Sequence, residues 1–177
     1  MLQLSKSLIN RPVMSLRTGS QVATATMPII NPNNLKIEGW YCQDRFSKDT
    51  LILLSQDIRD VIPQGLVIND HDNLSEPGEL VRLKEVLDLK FELLGKPAVT
   101  VNKQRMGKVE DFAVEVETFY IQKIYLTQPL IKSFKGGTLS VDRNQIIEIT
   151  NRKIVIDNPQ MPVKVNGRAT APVPSQA

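Results

Sequence analysis

Residues 56–73, QDIRDVIPQGLVINDHDN, recur in altered form as residues 144–159, NQIIEITNRKIVIDNP. An offset of 88 residues places Ile58 on Ile146 and Asp60 on Glu148. The same offset superimposes the apolar triplets 66–68 and 154–156. Each stretch has two apolar runs separated by a short polar turn, which predicts a strand–turn–strand unit. The chain therefore contains this unit twice.

The repetition extends upstream of the opening stretch. LINRPVMSL (8–16) resembles LLGKPAVTV (93–101) at an offset of 85, and LKIEGWYC (35–42) resembles FYIQKIYL (119–126) at an offset of 84. Solenoid repeats have periods of about 20–50 residues, so a period this long indicates that a whole domain was doubled. The additional residues of the second repeat lie in TQPLIKSFKGG (127–137).

Apolar residues alternate with polar ones along most of each repeat, which is typical of half-buried strands. In VEDFAVEVE (109–117), the alternation sets one apolar face against one acidic face: Phe112, Val114 and Val116 against Asp111, Glu115 and Glu117. Turn-prone clusters interrupt the runs at NPNN (31–34), IPQG (62–65) and FKGG (134–137). Many short strands with such turns predict an all-β sandwich or small barrel.

The strand that covers residues 35–42 is apolar on both of its faces. Leu35, Ile37 and Tyr41 share one face, whereas Trp40 and Cys42 share the other. One face can fill the strand's own barrel, and the other needs a different cover. Each repeat has about 70 residues, a size at which a single core is marginal. We therefore expect the two repeats to cover each other, with an external partner as the alternative.

Between the repeats, the sequence predicts a short amphipathic helix over residues 75–90. Ser75 is a plausible N-cap, Pro77 suits the first turn, and Leu80, Leu83 and Leu87 recur at helical spacing. After the second repeat, residues 159–177 contain four prolines and many small residues. Such a composition offers little surface to bury and predicts a disordered tail.

The second repeat carries a family resemblance. LLGKPAVTVNKQRMGKVEDFAVEV followed by LSVDRNQIIEITNRKIVI resembles the PRC-barrel domain, which occurs in the H subunit of photosynthetic reaction centres and in a bacterial ribosome-maturation factor. The matching motifs are the strand that begins at Gly95, the Gly-x-Val-x-Asp step at Gly107, Val109 and Asp111, and the apolar–acidic–apolar run 147–149. In the first repeat, Ala23, Ala25 and Met27 occupy the places of that step.

This resemblance implies two PRC-like barrels in tandem. The predicted organisation is a first barrel over residues 1–74, a linking helix over 75–90, a second barrel over 91–158 and a tail over 159–177. The family resemblance implies a small barrel that serves as a docking surface for proteins or ribonucleoprotein. It implies no catalytic residues.

Few residues suggest chemistry. The single cysteine, Cys42, cannot form an intrachain disulfide, and we interpret it as a small buried apolar residue. The single histidine, His71, lies between Asp70 and Asp72, which we interpret as a solvated turn; a weak divalent-cation site is the alternative. We therefore predict no enzyme, no cofactor and no metal.

The predicted function is that of a cytoplasmic, non-catalytic adaptor. The net charge is +3, far from a strongly basic surface, and no apolar run reaches the roughly 20 residues of a membrane-spanning helix. The N-terminal residues read as part of the structure and not as a signal peptide. The predicted partner is a protein or a ribonucleoprotein, with a homodimer as a further alternative.

Two groups of residues are candidates for partner contacts. The first is an apolar cluster with a basic rim in the additional segment of the second repeat: Leu130, Ile131, Lys132, Phe134 and Lys135. The second belongs to the alternative function of an RNA- or ribosome-associated maturation factor and would contact phosphates: Lys103, Arg105, Lys108, Arg152 and Lys153. Phosphate contacts would make the affinity fall steeply with salt.

Overall fold

The computed structural model describes residues 1–128 and 137–157, which form two β-sheets. Sheet I contains seven strands: β2 (Arg11–Ser15), β3 (Gln21–Asn31), β4 (Lys36–Asp44), β5 (Thr50–Leu54), β6 (Ile58–Ile62), β7 (Gly65–Ile68) and β8 (Leu74–Ser75). Sheet II also contains seven: β1 (Leu2–Leu4), β9 (Pro97–Thr100), β10 (Arg105–Glu115), β11 (Ile121–Thr127), β12 (Thr138–Asp142), β13 (Ile146–Ile149) and β14 (Ile154–Ile156). The protein is predominantly β, as the alternating pattern predicts.

The two sheets share one strand order. Sheet I follows β6-β7-β2-β3-β4-β5, and sheet II follows β13-β14-β9-β10-β11-β12, which is the same order one repeat later. In both sheets, the second strand of the strand–turn–strand unit pairs in parallel with a strand near the start of its repeat. β7 pairs with β2, and β14 pairs with β9. The duplicated sequence thus forms the same ladder twice.

Interruptions of the ladders also fall at matching places. The register shifts lie between residues 25 and 27, 29 and 30, and 58 and 60 in sheet I, and between 109 and 111, 113 and 114, and 146 and 148 in sheet II. A β-bulge bends and twists its strand locally. A fourth pair of register shifts lies between residues 13 and 14 in sheet I and between 105 and 107 in sheet II. Bulges at equivalent positions therefore bend both sheets at the same places.

The sheets are open within the described residues. A 3₁₀ turn, Ser55–Asp57 in sheet I and Arg143–Gln145 in sheet II, carries the chain between the two end strands of the common order. No main-chain ladder joins those end strands in the described part of the chain. The predominantly β character is as predicted, but closure into two barrels is not confirmed.

One apolar core is shared by both sheets. The buried cluster includes Trp40 and Ile37 from sheet I together with Phe119, Ile121 and other residues of sheet II. The rings of Trp40 and Phe119 meet edge to face, with centroids 5.2 Å apart. A shared core removes the shortage of buried surface that each repeat of about 70 residues would have alone.

The N-terminus crosses from the first repeat into the second sheet. β1 pairs with β10, where Leu2 lies opposite Glu115. Ser5 donates hydrogen bonds from its hydroxyl and its main-chain N–H to the carboxylate of Asp111. Asp111 is buried, so its predicted place on a solvent-facing acidic side of the strand is wrong. The Ser5 contacts compensate the carboxylate for the loss of water.

The linker is less helical than predicted. Ser75 is not an N-cap, because it lies in β8 opposite Ile52. Two 3₁₀ turns follow, Pro77–Glu79 and Val81–Leu83, before helix α1 (Lys84–Leu89), which ends where Lys90 adopts a φ of +45°. No helix in residues 1–128 or 137–157 is long and apolar enough to cross a membrane.

The apolar stripe of the linker packs on sheet I. Leu83 is buried with Ile29 and Ile52, and Leu80 and Leu87 pack against this small cluster. The predicted stripe therefore exists, although its residues are distributed over a 3₁₀ turn, a connecting residue and α1.

Phe119→Ala should destabilise both sheets together. The substitution removes a buried ring from the shared core, and we expect the free energy of unfolding to fall by about 3–5 kcal/mol. Urea denaturation checks this, with Trp40 fluorescence reporting on sheet I and far-UV circular dichroism reporting on the whole chain. Phe46→Ala, which changes an exposed ring, is the control and should cost far less. Two separate transitions would contradict a single shared core.

Candidate binding site at the junction of the two sheets

Among residues 1–128 and 137–157, the main chains of the two sheets are joined at one point. Lys36 and Tyr120 form an isolated antiparallel bridge. Ile37 N–H donates to the Phe119 carbonyl at 2.9 Å, and Ile121 N–H donates to the Leu35 carbonyl at 2.8 Å. Lys36 and Tyr120 occupy equivalent positions in the two repeats, at an offset of 84. A local twofold axis therefore passes between Lys36 and Tyr120.

The residues that precede the bridge have an unusual backbone conformation. Leu35 has a φ of +53° and Phe119 a φ of +58°, which is rare for bulky side chains. Such a conformation costs on the order of 1–3 kcal/mol per residue. Both side chains are buried in the shared core, which offsets this cost. The positive φ turns each strand so that it can meet its counterpart.

On one side of the axis lies a small groove of about 220 Å³. The turn 32–35 of sheet I faces β13 of sheet II, with Arg143 between them. The guanidinium of Arg143 donates to the Ile121 carbonyl at 3.2 Å and to the Asn34 carbonyl at 2.5 Å. It also lies over the ring of Tyr120, 4.9 Å from the centroid. We call this the filled groove, because an arginine of the chain occupies it.

On the other side lies the equivalent groove, which is larger, about 530 Å³. Its walls are residues 116–120 of sheet II and residues 58–61 of sheet I, the counterparts of 32–36 and 146–149. Ser55 stands where the filled groove has Arg143, at the offset of 88. A serine side chain cannot span the gap that an arginine spans. We call this the open groove.

The open groove continues into a second depression of about 540 Å³. The two share Lys36, Ser55 and Gln56, and the second is bordered by linker residues 79–83. Lys36 lies at their common wall, with its ammonium 3.9 Å from the carboxylate of Glu38. Together the depressions form one extended surface at the boundary between sheets, a usual place for ligand sites.

Two cations hold the duplicated strand–turn–strand units to their sheets. Arg11 donates to the carbonyls of Ile62 and Pro63, and Lys96, its counterpart, donates to the carbonyl of Asn151 at 2.7 Å. Burial lowers the pKa of Lys96, and the charge of Glu92 opposes that shift. The sequence indicated neither contact in advance, although Arg11 and Lys96 align at an offset of 85.

The five predicted phosphate contacts divide into two places. Lys103 and Arg105 lie at the Thr100 end of β9, whereas Lys108, Arg152 and Lys153 lie at the Pro97 end. All five are exposed, and none forms an ion pair with another described residue. Four strand residues separate the ends by about 10 Å. The structure therefore brings together three of the predicted cations and leaves two apart.

The five predicted partner-contact residues, Leu130, Ile131, Lys132, Phe134 and Lys135, lie outside the described residues. They directly precede β12 in the chain. The structure does describe β12, which is an end strand of sheet II. Its counterpart β5 pairs on its outer edge with β8, but β12 has no strand on that edge within residues 1–128 and 137–157. The unpaired edge of β12 was not predicted from the sequence.

Cys42 is fully buried, in agreement with its interpretation as an apolar residue. Burial raises the pKa of its thiol to about 12, and a hydrogen bond with the Leu53 main chain only partly opposes this. The thiolate is the reactive form of cysteine. Cys42 is therefore unreactive in the folded protein.

In the predicted polar turn, the side chains of His71 and Asp70 make contacts within the protein. The His71 ring nitrogen Nε2 lies 2.8 Å from Oδ1 of the buried Asp44 carboxylate, and Asp70 pairs with Arg17 at 2.7 Å. Asp72 is exposed. No three acidic, histidine or cysteine side chains in the described residues are grouped as a metal would require.

Comparisons with known proteins give no family for this chain. No protein-family model matches the sequence, and no curated protein matches it with significance.

Asp44→Asn should make stability depend less on acid pH. Burial raises the pKa of the Asp44 carboxyl, but hydrogen bonds from His71, Ser47 and the Phe46 N–H outweigh it and lower the pKa overall. The carboxylate therefore stabilises the fold above the unfolded pKa of about 3.9, and this contribution is lost as the pH falls through the lower folded value. We expect Asp44→Asn to cost about 1–3 kcal/mol at pH 7.

Urea midpoints between pH 2.5 and 7 measure this effect. The difference between the wild type and Asp44→Asn should narrow below about pH 4. Asp72→Asn, in the neighbouring exposed position, should show no such difference. A gap that stays constant with pH would contradict a native Asp44 carboxylate held by these hydrogen bonds.

Proposed function

We propose that this protein is a non-catalytic adaptor that binds a second protein by strand addition to the outer edge of β12. The observation that carries the proposal is the asymmetry between equivalent edges. β5 has β8 on its outer edge, with Leu53 opposite Leu74, whereas β12 has no such partner among the described residues. The same kind of edge therefore accepts a strand once within this chain.

The chemistry of an edge strand supports this mode of binding. Unpaired main-chain N–H and C=O groups on an edge provide a template for another extended segment. The side chains of Thr138, Ser140 and Asp142 are exposed, so the face of β12 that carries them is open to solvent. The predicted contact residues Leu130 to Lys135 precede this strand in the chain. That their side chains select the partner stays a prediction.

We also propose that each repeat is an open form of a PRC-type barrel. The common strand order and the bulge at Gly107, where φ is +123°, support this. A side-chain β-carbon at Gly107 would lie 2.1 Å from the Thr127 carbonyl, so only glycine fits this position. In such a family the barrel serves as a docking surface, which agrees with an adaptor.

A pair of lysines on the edge should abolish capture of the partner. Thr138→Lys with Ser140→Lys places charge on the open edge, which disfavours addition of another strand. We expect recovery of the co-purifying protein on tagged full-length chain to fall at least about tenfold, which corresponds to about 1.4 kcal/mol. The measurement is quantitative mass spectrometry of the captured material.

The matched control is Gln43→Lys with Thr50→Lys. These two exposed residues pair with each other in sheet I, and Thr50 is the counterpart of Thr138. Recovery should be unchanged in the control, and both variants should keep the wild-type urea midpoint. Equal recovery with the edge variant would refute binding at β12. Capture that disappears with ribonuclease and with added salt would instead support the RNA-associated alternative.

A further inference from the structure

The open groove matches, residue for residue, a groove that this chain fills with its own arginine. Residues 116–119 correspond to 32–35, and residues 58–61 correspond to β13. The two grooves are related by the local twofold axis between Lys36 and Tyr120. Where the filled groove has Arg143, the open groove has the much smaller Ser55. The filled groove is thus a template for what the open groove can bind.

The acceptor groups of the template are repeated in the open groove. In the filled groove the guanidinium donates to the carbonyls of Asn34 and Ile121. Their counterparts are the carbonyls of Thr118 and Ile37. Among the described residues, no side chain donates to either carbonyl. Two carbonyls in this arrangement suit the fixed, forked donors of a guanidinium, as Arg143 shows in the filled groove.

The wall of the open groove carries two carboxylates and two cations, so its formal charge is balanced. Asp60 and Glu117 line it and are exposed, and neither forms an ion pair within residues 1–128 and 137–157. The two cations keep their charge, but each has a contact of its own. Lys36 pairs with Glu38, and Arg59 donates to the side chain of Asn69 at 2.9 Å. The carboxylates are therefore available to a positively charged ligand.

We propose that the open groove binds the arginine side chain of a protein segment, held by the Thr118 and Ile37 carbonyls and by Asp60 and Glu117. In the template the guanidinium also lies over the Tyr120 ring. The open groove has Lys36 at the equivalent position, so binding there relies on the carbonyls and carboxylates. The site lies between the sheets, away from the outer edge of β12, and it does not depend on strand addition.

A titration observed by amide NMR tests this proposal. The probe is N-acetyl-arginine methylamide, and the control is the citrulline analogue, which has the same shape without charge. We expect saturable shifts of the Thr118, Phe119 and Ile37 amides with arginine and none with citrulline. Free arginine, which carries its own charged termini, is a third arm; a response to it alone would overturn a peptide ligand.

Two variants separate the groove from general effects. Ser55→Arg supplies the missing side chain in cis and should remove the arginine-dependent shifts. Asp60→Asn with Glu117→Gln changes only exposed side chains and should weaken the response at least tenfold while the urea midpoint stays unchanged. Equal shifts with citrulline, or a full response in the carboxylate variant, would overturn the proposal. A response that moves to other surfaces in both variants would overturn it as well.

Discussion

The structure depends on two main-chain hydrogen bonds that cross the local twofold axis, Ile37 to Phe119 and Ile121 to Leu35. They fix the sheets so that Trp40 meets Phe119 and both repeats bury one core. Each repeat alone is near the lower size limit for a stable domain. Because the bridge aligns their apolar strands, the surface that one repeat would expose becomes the interior of the pair.

The same symmetry explains where the candidate sites arise. An exact twofold would produce two equal grooves and two equal edges. The repeats differ at many positions, and two of these differences leave a surface available. Ser55 in place of Arg143 leaves one groove open, and β8, which has no described counterpart on β12, leaves one edge unpaired. Duplication gave the two sheets their common strand order, and differences between the repeats created surfaces that a partner can occupy.

The sequence predicted the features that depend on local periodicity. The alternation of apolar residues and the offsets of 84 to 88 gave the strands, the repetition and a strand apolar on both faces. Tertiary contacts determined what local patterns could not. The alternating pattern places Asp111 on the solvent side of its strand. In the structure, Ser5, which follows β1 near the N-terminus, donates hydrogen bonds to the Asp111 carboxylate. Pro77 and Gly78 divide the linker, so helical spacing overestimated its helix.

The sequence itself contains a signal for the candidate groove. Extending the opening alignment one residue upstream sets Ser55 on Arg143, a small residue against a large cation. Its meaning required the structure, since only the facing turns show what Arg143 binds. The most direct measurement of the central account is native-state hydrogen exchange of the Ile37 and Ile121 amides. Both should exchange only through global unfolding, with equal opening free energies that match the free energy of unfolding. If either amide exchanged through a local opening with a free energy below that of global unfolding, the two sheets would not form a single cooperative unit, and the account would be contradicted.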